Sequence, residues 1–187
     1  MKLNFQNFLI MGTVVWITGL SASGKTTLAN KLIDILQKKG YHVIGLDGDE
    51  LRNIFNSYSK SEDNHSKENR MDLGFKYSKL SHFLSNKGNI VIVSTISMFN
   101  EIYKWNRKNM KNYFEIYLKV PIKELKNRDP KKIYSRYFNN EIKNVAGLDL
   151  EIDEPYKPDL LIEFPNEPYL DNIVELLEKK FLKIKNG

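Results

Sequence analysis

Residues Thr13–Thr18 (TVVWIT) run without a break into Gly19 to Thr27, GLSASGKTT. An apolar, β-branched run reads as a buried strand. Beyond the loop, Lys25–Lys38 places Leu28, Leu32, Ile35 and Leu36 on one helical face, and Lys39-Gly40 closes it. Gly-x-x-x-x-Gly-Lys-Thr between a strand and a helix is the context a phosphate-binding loop requires. The glycines let backbone N–H groups turn inward on phosphate oxygens, and the helix directs its positive end at them. The spacing assigns Lys25 to the β- and γ-phosphates of ATP and the Thr26 hydroxyl to Mg²⁺. Gly19, Ser21, Ala22, Ser23, Gly24 and Thr27 complete the expected ATP cradle.

The rest of the chain alternates in the same way. Strands are predicted at His42–Leu46, Asn89–Ser94, Phe114–Val120 and Leu160–Glu163, and helices at Phe75–Asn86 and Tyr169–Lys183. This alternation implies a parallel sheet covered on both faces, the three-layer α/β/α arrangement of P-loop kinases. The 187 residues read as one domain, with 1–12 as an N-terminal extension. Residues 56–70 are polar throughout, as expected of a mobile loop over a site or of an inert surface loop.

Composition sets the outer limits. With no cysteine, disulfides and thiolate metal sites are excluded. No stretch reaches the roughly 18 apolar residues of a membrane span, and MKLNFQNFLIM lacks a cleavage site. The expected setting is cytoplasmic. The net charge of +6 comes from lysines scattered over the chain rather than one basic tract, which speaks against a nucleic-acid partner. Phe5, Phe8, Leu9 and Ile10 suit a covered sheet edge or a homodimer contact.

Asp47 and Asp49 follow the second strand. Ligands of open parallel sheets sit beyond the carboxyl ends of the strands, so both carboxylates are expected to face the phosphate loop. One can take a proton from an attacking hydroxyl, with Asp49 favoured, while the other holds Mg²⁺ through water. The alternative is that Asp-Gly-Asp is only a turn. These motifs do not identify the phosphoryl acceptor.

From Thr13 to Phe164 the chain resembles the adenylylsulfate kinase family, which phosphorylates the 3′-hydroxyl of adenosine 5′-phosphosulfate. GLSASGKTTLA is similar to its phosphate loop, and LDGDELR to its Asp-Gly-Asp segment with a substrate-contacting arginine, here Arg52. Ile96-Ser97 falls where the family has Phe-Ile-Ser-Pro. Arg128-Asp129-Pro130-Lys131 resembles the entry to a lid over about 128–148, which implies Arg128 near the ATP base and Lys131 over the substrate. Glu141-Ile142-Lys143 and Gly147 resemble the exit of the lid. Arg70 aligns with a further substrate arginine.

The departures concern the acceptor. The family's two adenine-stacking phenylalanines fall at His65 and Val145, its flanking Phe and Pro at Thr95 and Met98, and its lid glycine at Lys132. Each aromatic platform is worth about 1–3 kcal/mol, so losing one costs roughly ten- to a hundredfold in binding. STISM, WNR and EIYLKVP resemble a sub-branch found with capsular-polysaccharide enzymes, the cytidine diphosphoramidate kinases. A pyrimidine needs less stacking area than adenine. The implied acceptor is thus a cytidine nucleotide, with adenosine phosphosulfate as the alternative and a non-catalytic nucleotide-binding regulator as a reading of another class. Arg52 and Arg70 suit a diphosphate-like group through their bidentate forks. Lys131, Lys132 and Arg136 are candidates to neutralise the transferred phosphate, and Ser97 either borders the acceptor or caps the next helix.

One outcome does not depend on the acceptor. Lys25→Ala is expected to abolish turnover without lowering the melting temperature, and wild-type turnover in that variant would refute the phosphate-loop assignment.

Overall fold

The computed structural model describes residues 12–56, 66–165 and 170–181. Five strands form one parallel sheet: β1 (Thr13–Thr18), β2 (Val43–Asp47), β3 (Ile90–Thr95), β4 (Tyr113–Lys119) and β5 (Leu160–Glu163). Their spatial order is β2-β3-β1-β4-β5, with every pair parallel. All six residues of β1 are buried, because β1 lies mid-sheet with helices on both sides. That burial is why TVVWIT is continuously apolar rather than alternating.

The helices divide between the faces. α1 (Lys25–Lys38) and, at the chain's end, a helix over Leu170–Phe181 cover one face. Leu28, Leu32, Leu36, Ile173, Val174 and Leu177 pack there on Val15, Ile17 and Ile92. The other face carries α2 (Gly48–Asn56), α3 (Lys67–Ser85) and α4 (Asn100–Asn109). Leu51, Leu73, Tyr77 and Ile102 pack there on Val14, Trp16 and Val93. Two short helices, α5 (Ile122–Arg128) and α6 (Ile133–Phe138), lie between β4 and β5, and Leu170–Phe181 is α7. This is the expected three-layer architecture. Among the described residues no helix is long and apolar enough to cross a membrane.

Three expectations need correction. Asp-Gly-Asp is neither a free turn nor a link after β2: Asp47 is the last residue of β2, and Gly48 and Asp49 open α2. The Asp47 carboxylate accepts the N–H of Asp49 at 2.9 Å, as an N-cap does. The third helix begins at Lys67 instead of Phe75, so 67–70 are not loop. Ser66 caps it by accepting from the Asn69 N–H at 3.3 Å, a start that apolar periodicity misses because KENR is polar. The remaining polar stretch, 57–65, and the N-terminal cluster lie outside the described residues.

Candidate active site

A cleft of about 850 Å³ opens beyond the carboxyl ends of β1, β2 and β3. Loop 19–24 forms its floor. A Cβ on Gly19 would lie 2.6 Å from the Leu118 carbonyl oxygen, so only glycine lets the loop leave β1 this way. Gly24 turns into α1 at φ 96. Ala22 holds the same left-handed sense at φ 62 without that freedom, at a cost of about 1–2 kcal/mol. Ser21, Ala22, Gly24, Lys25, Thr26 and Thr27 all line the cleft, while Gly19 and the buried Ser23 stand behind it. Among the described residues the Ser23 hydroxyl has no hydrogen-bond partner.

The Lys25 ammonium donates to the Leu20 carbonyl at 2.7 Å, folded onto its own loop. Burial lowers its pKa to about 8; Asp49 and Asp47 oppose that shift and Lys131 adds to it.

The two carboxylates are held differently. Asp47 Oδ2 accepts from the Thr26 hydroxyl and from the Ser94 hydroxyl, each at 2.8 Å. Partial burial works against its ionisation, but the bonds from Ser94, the Asp49 N–H, Thr26 and the Glu50 N–H outweigh it and hold the pKa below the usual carboxylate range. Ser94 was not among the expected residues. Its signal was available: it is the last residue but one of β3, beside β2 and directly opposite Asp47 in register. Asp49 instead reaches into the cleft with a half-exposed side chain, paired with Arg52 at 3.2 Å and with Lys131 from the stretch between α5 and α6.

Arg52 from α2 and Arg70 from α3 converge on one wall. Arg70 donates to the Asn144 carbonyl at 2.9 Å. Burial, and then the neighbouring Arg52 charge, lower its pKa to about 10, so it remains a cation at neutral pH. Ile96, Lys131, Lys143 and Val145 line the same cleft. Val145 is buried and packs on Leu125 and Tyr134, presenting an aliphatic wall. Arg128 lines the cleft near its mouth, bonded to Glu124 at 2.9 Å and 5.2 Å from the centre of the Phe164 ring. Arg136 also borders the cleft, whereas Lys132 does not line it. Lys132 takes φ 53, a conformation that suits the glycine of the resembled motif.

Ser97 does not take the helix-capping role offered for it. It lies off the main cleft, in a narrow crevice beside Arg52 and Arg70, and its hydroxyl pairs with that of Thr95 at 2.8 Å. It does not cap α4: the N-cap there is Phe99, and Asp153 accepts the Asn100 N–H at 3.0 Å. His65 lies outside the described residues.

The Thr26 hydroxyl and Asp47 carboxylate form an all-oxygen pair open to the phosphate floor. That donor set fits a hard divalent cation that keeps several of its waters.

The Lys25 environment sets a pH dependence. Only the ammonium pairs with phosphate, so binding an anionic nucleotide favours protonation and weakens as pH rises through about 8. Calorimetric affinity for an ATP analogue should fall about tenfold from pH 7 to pH 9. Lys25→Gln should bind more weakly and flatten the profile; an unchanged slope in that variant would assign the titration to another group.

Comparison with known proteins fits this geometry. The model of the family described as adenylylsulphate kinase matches residues 11–163. A cytidine diphosphoramidate kinase from Campylobacter jejuni is 45% identical over 167 residues, 89% of this chain and 95% of that protein. An adenylyl-sulfate kinase from Clostridium acetobutylicum is 38% identical, with 90% of this chain and 84% of that one aligned. Among solved structures, the Mycobacterium tuberculosis APS kinase in complex with AMPPNP and APS superposes with a TM-score of 0.81 at 30% identity, covering 90% of this chain and 98% of that one. On its sequence, its fold and the strand–loop–helix that floors its cleft, this chain belongs to the adenylylsulphate kinase family.

Proposed function

We propose that this protein is an ATP-dependent kinase that phosphorylates the ribose 3′-hydroxyl of cytidine diphosphoramidate, in the making of a capsular-polysaccharide phosphoramidate. Family membership supports the kinase, and the 45% identity to the Campylobacter jejuni enzyme supports the acceptor. The observation that carries the acceptor choice is Val145, a buried aliphatic side chain on the cleft wall where a stacking ring would hold adenine.

The proposed chemistry is an in-line transfer. Asp49 takes the proton of the 3′-hydroxyl, whose oxygen bonds to the γ-phosphorus as the bond to the β–γ bridging oxygen breaks and ADP departs. Asp49 must first exchange its Lys131 contact for the hydroxyl. Lys25 and the released Lys131 then face the phosphate being transferred, where cations offset the developing charge. Arg52 and Arg70 hold the acceptor's diphosphate-like group, and Arg128 borders the ATP base. Thr26 and Asp47 would hold Mg²⁺, which when bound shields the phosphate oxygens. Asp47 therefore orients and Asp49 reacts, the division that their hydrogen bonds suggest.

A second reading, adenosine 5′-phosphosulfate as acceptor, draws on the family's other members and on the neighbour solved with APS. Steady-state kinetics with ATP decide between them. The cytidine compound should show kcat/KM at least about tenfold above the adenosine compound, the worth of one lost stacking platform. The reverse preference would establish the second reading. Transfer to neither would remove the kinase.

A further inference from the structure

The wall that carries Lys143, Asn144, Val145 and Ala146 is irregular backbone, outside any helix or strand. Such a wall needs something to hold it. The Asp149 carboxylate spans the turn from behind: Oδ2 accepts the Asn144 N–H at 2.8 Å, and Oδ1 accepts the Val145 N–H at 2.7 Å. Backbone bonds from Leu148 and Leu150 to the Val145 carbonyl, at 3.0 and 3.2 Å, close the same turn. Asn144 stands at φ 60, a left-handed conformation that an isolated segment does not favour. On the opposite edge, Arg70 grips the Asn144 carbonyl and ties the turn to α3.

We propose that Asp149 is a positioning residue for the acceptor. It does not line the cleft; it holds the two peptide groups that set where Lys143 and Val145 stand. Arg70 then has two tasks, fixing the turn through Asn144 and lining the cleft that the acceptor would enter. The acceptor wall is thereby registered to the arginine that binds the acceptor. The phosphate loop is built on β1 and α1 and shares none of these hydrogen bonds; Leu20 and Ala22 touch the turn only through apolar packing around Val145, so the loss of Asp149 should fall mainly on the acceptor and not on ATP. This inference rests on the proposed kinase activity, but holds for either acceptor, since both would occupy the same wall.

The test uses Asp149→Ala and Asp149→Asn in the full-length protein, with whichever acceptor the wild type prefers. Losing a charged acceptor of two N–H bonds should raise the acceptor KM about tenfold or more. Asp149→Asn keeps one acceptor oxygen and should recover part of the loss. The KM for ATP should stay within about twofold of wild type in both. A role in folding alone would raise both KM values or lower the melting temperature without separating them, and that pattern would overturn the proposal. So would an unchanged acceptor KM. Should Asp149→Ala fail to fold, Asp149→Asn decides by the same split. If the wild type transfers phosphate to neither nucleotide, calorimetry decides: Asp149→Asn should weaken acceptor binding while leaving AMPPNP binding intact, and equal losses or no loss would refute the proposal. Failure of the kinase reading is thus scored on the wild type and failure of this one on the variants.

Discussion

Much of the site's order passes through the carboxylate of Asp47. It closes β2, caps α2 through the Asp49 N–H, and accepts hydroxyls from Thr26 on α1 and Ser94 on β3. One ionised group thus ties the phosphate loop's helix to two strand ends and to the helix that carries Asp49 and Arg52. Its depressed pKa reflects the same bonds and keeps it charged at neutral pH. These donors fix Asp47 in place, whereas Asp49, two residues on, has cations rather than fixed hydroxyls for neighbours, so the reactive role is the one we propose for Asp49. A capping aspartate and a reacting aspartate can then sit two residues apart without competing.

The sheet and its phosphate loop were legible because burial on both faces demands continuous apolar strands, and TVVWIT, NIVIV and FEIYL have few other uses. β1 and β5 matched the expected bounds, and β2, β3 and β4 each shifted by one residue. What escaped were α2, the short helices α4, α5 and α6, and the polar start of α3. α2 opens on Gly48-Asp49, and α3 on Lys67-Glu68, where full burial arrives only about one to two turns later, at Leu51 and Leu73. Both carried a capping residue, Asp47 and Ser66, that would have marked them.

The candidate site divides in the same way. Its phosphate half is a contiguous motif, so residues 19–27 could be named from spacing. Its acceptor half is assembled from α2, α3, the end of β3 and the segment after α6, and no local pattern reports contacts such as Arg70 with Asn144, 74 residues apart. Resemblance supplied most of those positions. It did not supply Ser94, which holds Asp47, or Asp149, which holds the turn at Asn144 and Val145. Lys132, where the resembled motif has a glycine, holds φ 53 at a cost of about 1–2 kcal/mol.

The division of labour between the two aspartates is the account's central claim, and single-turnover phosphoryl transfer by Asp49→Asn tests it most directly. Removing a general base while leaving the Asp47 anchor in place should slow the chemical step by about 10²–10⁴-fold. AMPPNP affinity and the melting temperature should stay near wild type. A transfer rate close to wild type in Asp49→Asn would contradict the account and move the proton acceptor elsewhere in the cleft.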